Sequence, residues 1–195
     1  MRRPRVFCFA ADLMTGLGRV DLFLERAKEA GASGVRVFAV YGWHKETAVS
    51  SPWLKVGKWK PYWPGGSERP FFDLRIWDEA WWSKFKNLMS KCRELGLEVI
   101  VSLDDYCSIK QDGEEKYWHP VLSSAPDHDP EHPENEPDGG YLPGGYWAEG
   151  EGTVRVYLSR FWRRMIAELS AIGVDYYIEV MNEYDAKDYP DEYMV

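Results

Sequence analysis

Three stretches of the chain repeat one pattern of hydrophobic and polar positions. In each, apolar residues recur every three or four positions, a glycine follows, and a run rich in β-branched residues ends the stretch. The spacing is typical of an amphipathic helix and the run is typical of a buried strand. Each stretch is therefore predicted to be a helix leading into a strand. The three stretches are LFLERAKEAGASGVRVFAV, FKNLMSKCRELGLEVIVSL and FWRRMIAELSAIGVDYYIEV.

A fourth strand is predicted in PRVFCFAA, near the start of the chain. Strands joined by helical crossovers run parallel, so the pattern predicts an α/β fold with four parallel strands. The predicted order is a strand at about 5–10, a helix at 18–30, a strand at 35–40, a helix at 78–95, a strand at 97–103, a helix at 153–172 and a strand at 174–181.

The connections between these elements are unequal in length. Helix-to-strand turns are short and contain Gly31, Gly96 or Gly173, whereas the strand-to-helix loops over 41–77 and 104–152 are long. Ligands of parallel α/β proteins bind at the carboxyl ends of the strands, where these loops lie. The pattern therefore places the functional face at this end.

Two parallel folds fit the alternation of strands and helices. A doubly wound nucleotide-binding fold calls for a glycine-rich fingerprint after the first strand, and MTGLGRV supplies only part of it. We favour a TIM-barrel-like (β/α)4 half barrel, with residues 1–195 as a single domain.

Composition narrows the range of partners. The formal charge is −8 and the basic residues form no tract, so we expect no nucleic-acid partner. No apolar stretch is long enough to span a membrane, and the first apolar run is too short for a signal peptide and is interrupted by Asp12. This leaves localisation open between the cytoplasm and secretion with a removed signal. We expect no cofactor and no resident metal, because the acids and histidines of the second loop are irregularly spaced.

Asn182 and Glu183 directly follow the core of the last predicted strand. Alone, the pair also fits a strand end followed by a carboxylate that begins a helix. In context, EVMNE resembles the Asn-Glu motif of the clan-A glycoside hydrolases, the (β/α)8 enzymes that include family 5 cellulases and mannanases. The resemblance implies that Glu183 is the general acid/base and that Asn182 contacts the sugar 2-hydroxyl.

A second match lies in VRVF, where Arg36 falls at the position of the family's strand-2 arginine. The resemblance implies that Arg36 supports the nucleophile, although an ion pair inside a barrel explains an arginine there equally well. Cleaving a glycosidic bond needs two carboxylates. Asp104 and Asp105, at the end of the third predicted strand, are our candidates for the second.

Sugars present apolar faces and rings of hydroxyls, which aromatic platforms and polar side chains bind. Aromatic residues make up 15% of the chain, and many of its ten tryptophans fall in or beside the long loops. We therefore predict an oligo- or polysaccharide substrate, neutral and β-linked. The candidate contacts are Trp43, His44, Trp63, Trp118 and His119.

Half a barrel leaves two apolar strand edges unpaired. Either the chain belongs to a longer enzyme, or two copies form a homodimer that closes an eight-stranded barrel. In that dimer the partner's third strand occupies the seventh position, where the clan carries its nucleophile. Asp104 or Asp105 of one copy would then face Glu183 of the other. The alternatives to a hydrolase are an inactive carbohydrate-binding module and a structural assembly unit.

Overall fold

The computed structural model describes residues 5–9, 14, 19–40, 51–59, 69–105 and 154–182. Within these ranges the chain forms six strands and three helices. In chain order they are β1 (Phe7–Phe9), α1 (Val20–Glu29), β2 (Gly34–Phe38), β3 (Trp53–Trp59), β4 (Arg69–Trp77), α2 (Glu79–Glu94), β5 (Glu98–Asp105), α3 (Val154–Ile172) and β6 (Tyr176–Asn182).

Four of the strands form one parallel sheet in the order β1-β2-β5-β6. They are the four strands that the hydrophobic pattern predicts, and a helix precedes each of β2, β5 and β6. The predicted α/β alternation with parallel strands is therefore confirmed for the described residues. Closure of these strands into half a barrel stays a prediction.

The turns that lead from helix to strand are short and contain glycine, as predicted. Gly31, Gly96 and Gly173 have φ values of 83°, 63° and 74°, in the left-handed region that glycine enters without steric cost. At the other end of α2, the side chain of Asp78 accepts hydrogen bonds from the backbone N–H groups of Ala80 and Trp81, at 3.0 and 3.2 Å. These ends explain why the helix bounds agree with the sequence pattern to within a few residues.

The first long connection contains a hairpin that the sequence pattern did not predict. Strands β3 and β4 pair antiparallel in a separate two-stranded sheet. Trp53 of this hairpin is buried, and its ring centroid lies 5.7 Å from that of Trp77 and 5.3 Å from that of Phe161 on α3. Part of the 41–77 loop is therefore ordered structure docked on the helix layer, and two of its tryptophans pack internally.

The main core lies between the parallel sheet and the helices. Its strand residues alternate along β2 and β5, as expected for one face of a sheet. Trp81, Trp82 and Cys92 of α2 are buried in this core. Burial raises the pKa of the Cys92 thiol to about 12. Central members of the core are Leu24, Val35, Val37, Phe85, Met89, Val99, Val101, Leu103, Phe161 and Met165.

None of the described helices is long and apolar enough to cross a membrane.

Candidate functional site

The parallel sheet has a second face, opposite the one on which the three described helices pack. Alternation along the strands assigns residues to it, and the registers of neighbouring strands bring them side by side. We call it the helix-free face. It includes Phe7, Phe9, Gly34, Arg36, Phe38, Glu98, Ile100, Ser102, Tyr177 and Glu179. This face mixes aromatic, apolar and charged side chains, unlike the apolar face beneath the helices.

An ion pair between Arg36 and Glu179 crosses this face. The Nε and Nη2 atoms of Arg36 both donate to Oε2 of Glu179, at 2.9 and 2.6 Å. Arg36 lies on β2 and Glu179 on β6, so the pair spans the intervening strand β5. Both side chains are half-buried. Charge-assisted hydrogen bonds of this length in a partly desolvated setting are stronger than those of an exposed pair.

Two adjoining phenylalanine rings pack against the guanidinium of Arg36. Its central carbon lies 5.4 Å from the ring centroid of Phe9 and 5.2 Å from that of Phe38. The two rings meet edge to face, with centroids 5.4 Å apart. Aromatic faces attract a guanidinium and favour a defined orientation of its plane.

The register shows which way the Arg36 side chain runs. Arg36 is level with Ile100 and hence with Tyr177, whereas Glu179 is level with Ser102. Glu179 thus lies two residues, or about 6.6 Å, further towards the carboxyl end of the sheet. To reach Glu179, the Arg36 side chain must run towards the carboxyl ends of the strands.

Near the amino end of the sheet, side chains of the two outer strands meet over the helix-free face. The ring of Phe7 on β1 lies edge to face with that of Tyr177 on β6, with centroids 6.3 Å apart. Arg5 donates a hydrogen bond to the Tyr177 hydroxyl and lies over its ring. A Cβ on Gly34 would lie 2.6 Å from the Phe7 ring, so Phe7 leans across β2. Three strand spacings are about 14 Å, so both rings lean inward over the face to approach each other.

Three predicted site residues lie at the carboxyl ends of adjacent strands. Asp104 and Asp105 end β5, and Asn182 ends β6. The register pairs Asp104 with Met181 and Asp105 with Asn182. The fold therefore brings two of the candidate carboxylate positions beside the strand end that leads into Glu183. Glu183 itself lies outside the described residues.

The predicted aromatic and histidine contacts also fall outside the described residues. They are Trp43, His44, Trp63, Trp118 and His119. Their roles, like those of Glu183, Asp104, Asp105 and Asn182, stay predictions. Arg36 is the one predicted site residue whose side chain lies within the described part of the chain, and it forms the ion pair that was one of its two interpretations.

Sequence reasoning missed Glu179, the partner of Arg36. The sequence does contain a signal for such a partner, namely a charged residue in the middle of the apolar run YYIEVM. A carboxylate in the middle of a strand needs a cation or several hydrogen-bond donors. Identifying Arg36 as that cation requires knowing the strand order β2-β5-β6, which cannot be read from the sequence.

A cavity of about 480 Å³ lies elsewhere, between α1 and α2 on the helix side of the sheet. Asp21, Lys84 and Lys91 contribute its charged lining. The Lys84 ammonium donates to the Met14 carbonyl at 2.6 Å, and burial lowers its pKa. The cavity includes none of the predicted site residues. In the described ranges no three potential ligands cluster as a metal site would require.

Comparison with known proteins yields structural neighbours only. No protein family matches the sequence, and no curated protein does. A protein of Bacteroides vulgatus ATCC 8482, provisionally named a glycoside hydrolase, superposes with a TM-score of 0.56 at 17% identity, covering 97% of this chain and 31% of its own. A noncanonic maltogenic alpha-amylase, AmyB, of Thermotoga neapolitana gives a TM-score of 0.45 at 15% identity, covering 94% of this chain and 41% of its own.

The first neighbour bears on the fold. Its superposition extends over nearly the whole chain, which therefore shares its fold with part of that protein. The chain spans less than half the length of either neighbour. At such low identity, the likeness carries no activity or substrate from one protein to the other.

Proposed function

We propose that this chain is a (β/α)4 half-barrel unit of a glycoside hydrolase of the clan-A, family 5 type. It acts on a neutral β-linked polysaccharide of the cellulose or mannan kind. Glu183 is the general acid/base, Asn182 contacts the sugar 2-hydroxyl, and Arg36 supports the nucleophile.

One observation carries the proposal more than any other. Arg36 lies on the helix-free face and runs towards the carboxyl end of the sheet, where Asn182 ends β6. Active sites of parallel barrels are built at this end, from residues that follow different strands. Arg36 and Asn182, from two short motifs far apart in the sequence, thus belong to strands of the same parallel sheet, which supports a hydrolase of this type.

The substrate class rests on the tryptophan-rich, acidic character of the long loops. Flat aromatic rings bind the apolar faces of sugars, and acids and amides bind their hydroxyls. A net charge of −8 disfavours acidic polymers, which leaves neutral glycans.

The direct test is release of reducing sugar from cellulose and from mannan. We expect the wild-type chain to release sugar and Glu183→Gln to lower kcat by about 10³-fold, the usual contribution of a general acid/base. Glu94→Gln is the matched control, because Glu94 is an exposed glutamate at the end of α2 and its loss should leave kcat unchanged.

Titration of tryptophan fluorescence with cello- and manno-oligosaccharides separates the alternatives. Binding without turnover would replace the proposal with a carbohydrate-binding module. Neither binding nor turnover would favour a structural assembly unit. Turnover that survives in Glu183→Gln would remove Glu183 from the mechanism.

We also propose that two copies of the chain associate into a closed eight-stranded barrel. Within the described part of the chain, β1 and β6 are the outer strands of the parallel sheet. Val6, Phe9, Tyr177 and Val180 expose apolar surface at these strands. Parallel sheets are normally covered on both faces, and soluble proteins protect their edges. A two-fold arrangement pairs β6 of one copy with β1 of the other.

Light scattering at micromolar concentration tests this association, and a mixture of inactive variants tests the shared site. Glu183→Gln and Asp104→Asn should each be inactive, and mixing them should restore part of the activity, because one site per heterodimer keeps both carboxylates. Asp105→Asn is the companion variant if Asp104→Asn stays active. A monomer would overturn the association, and a mixture as inactive as its parents would overturn the shared site.

A further inference from the structure

We propose that Glu179 is a positioning residue for Arg36: it fixes the guanidinium across β5, with the group packed against the adjoining rings of Phe9 and Phe38 and its hydrogen-bonding edge directed to Glu179, towards the carboxyl end of the sheet. This inference rests on the proposed function for its catalytic meaning. Its geometry can be tested independently of any activity.

Among the described residues, contacts with Phe9, Phe38 and Glu179 restrict the orientation of Arg36. A guanidinium without a partner could swing about its flexible stem, and the aromatic contacts with Phe9 and Phe38 restrict the plane without fixing a direction. The two hydrogen bonds from Nε and Nη2 to a single oxygen of Glu179 fix that direction. Together these contacts favour one orientation for the group.

The position of Glu179 connects this ion pair to the predicted acid/base. Glu179 lies within β6, and the same strand ends at Asn182, directly before Glu183 in sequence. A shift of β6 along β5 would therefore change both the Arg36 contact and the start of the segment that carries Glu183. Glu179 thus couples the arginine of β2 to the strand that supplies the acid/base.

The matched control is a second Arg–Glu pair on the other side of the sheet. Arg164 of α3 donates two hydrogen bonds of 2.9 Å to Glu79 of α2 and lies 4.3 Å from the Trp82 ring centroid. Like the Arg36 pair, it joins an arginine to a glutamate through two hydrogen bonds beside an aromatic ring, although here they go to two carboxylate oxygens, and it lies in the helix layer. Glu79→Gln therefore removes a comparable charge without touching the helix-free face.

The first experiment observes the Nε–Hε signal of Arg36 by ¹H–¹⁵N NMR. The signal is assigned as the one that disappears in Arg36→Lys, since lysine has no such group. We expect it to exchange slowly in the wild type, and to shift and exchange at least tenfold faster in Glu179→Gln, whose neutral amide is a weaker acceptor. In Glu79→Gln it should not move. An unchanged Arg36 signal in Glu179→Gln would overturn the inference.

The second experiment measures kcat and KM on the glycan that the wild type cleaves. We expect Glu179→Gln to lower kcat about tenfold with KM changed less than twofold, because misplacing a group near the reacting centre affects the transition state more than substrate binding. Glu79→Gln should change neither constant. A shifted Arg36 signal with unchanged kcat would overturn the positioning role.

Two precautions keep the outcomes distinct. If the wild type cleaves no glycan, the proposed function fails, and the NMR experiment alone decides whether Glu179 orients Arg36. If Glu179→Gln does not fold, Glu179→Asp takes its place, since it keeps the charge but is one methylene shorter. The Arg36 signal should then also shift, and an unshifted signal would overturn the inference.

Discussion

The two faces of the parallel sheet differ in what their side chains do. The face beneath the helices presents Val35, Val37, Val99 and Val101, all fully buried. The helix-free face presents the Arg36–Glu179 pair on the same strands and exposes the Phe9 ring. Residues that alternate along one strand thus serve two purposes. The first face supplies the stability of the chain, and the second holds polar groups that stability alone does not require.

The largest effect should come from comparing one substitution on the two faces. Phe85 of α2 packs against the face beneath the helices and is 0% exposed, whereas Phe9 of β1 lies on the helix-free face and is 57% exposed. We expect Phe85→Ala to lower the free energy of unfolding by about 3–5 kcal/mol, because it leaves a cavity in the core. Phe9→Ala should cost about 1 kcal/mol, the value of its contacts with Phe38 and Arg36.

Urea unfolding of both variants at low protein concentration checks this difference. The low concentration matters because association of two copies would bury Phe9 and increase its contribution. A loss for Phe9→Ala as large as that for Phe85→Ala in dilute protein would mean that the helix-free face is covered within a single chain. The contrast between the faces would then be wrong.

How well each feature could be predicted depends on whether its cause is local. Helix α2 follows from apolar spacing and from Asp78 at its start, and the turn at Gly96 follows from a single residue. The hairpin β3–β4 was missed because Gly57 and two register shifts interrupt its alternation, so that its tryptophans resemble loop residues. Packing of Trp53 against Phe161 of α3 joins residues far apart in sequence, which no local pattern reports.

The candidate site divides in the same way. Arg36 and the Asn182–Glu183 pair could be proposed because each falls in a short motif, VRVF or EVMNE, that resembles the glycoside hydrolases. Glu179 was missed because its partner lies two strands away, so that only the sheet order brings them together. A polar residue in an apolar strand indicates that a partner exists. Identifying the partner requires the tertiary structure.

A smaller loss of stability is expected from Gly34→Ala, at the amino end of the helix-free face. Side chains there are tightly packed, although the face is exposed elsewhere. A Cβ on Gly34 would lie 2.3 Å from the Glu98 carbonyl oxygen and 2.6 Å from the Phe7 ring. Gly34→Ala should therefore lower the free energy of unfolding by about 1–3 kcal/mol through overpacking.

Gly57→Ala is the control for this substitution. Gly57 is also a strand glycine, but no atom of the described residues beyond its chain neighbours lies within 4 Å of the position that a Cβ would take there. Alanine at this position should therefore be neutral or slightly stabilising. Thermal unfolding of the two variants gives the comparison. Equal melting temperatures would mean that Phe7 and the β5 backbone move aside at little cost, and the amino end of this face would then be loosely packed.

The smallest effect concerns the Arg–Glu pair in the helix layer. The hydrogen bond from Arg164, more than any other contact, holds the pKa of Glu79 below its ordinary value of 4.5. Because the pKa is lower in the folded state, the stabilisation is complete above the unfolded value and is lost as the pH falls through the folded pKa.

The Glu79 side chain is largely exposed, so solvent screens the pair and Glu79→Gln should cost only about 0.5 kcal/mol at pH 7. Urea unfolding of wild type and variant should show this gap shrinking as the pH drops below 4.5. A gap that widens in acid would contradict the direction of the pKa shift, and a loss of glycan cleavage in Glu79→Gln would contradict the division of roles between the two faces.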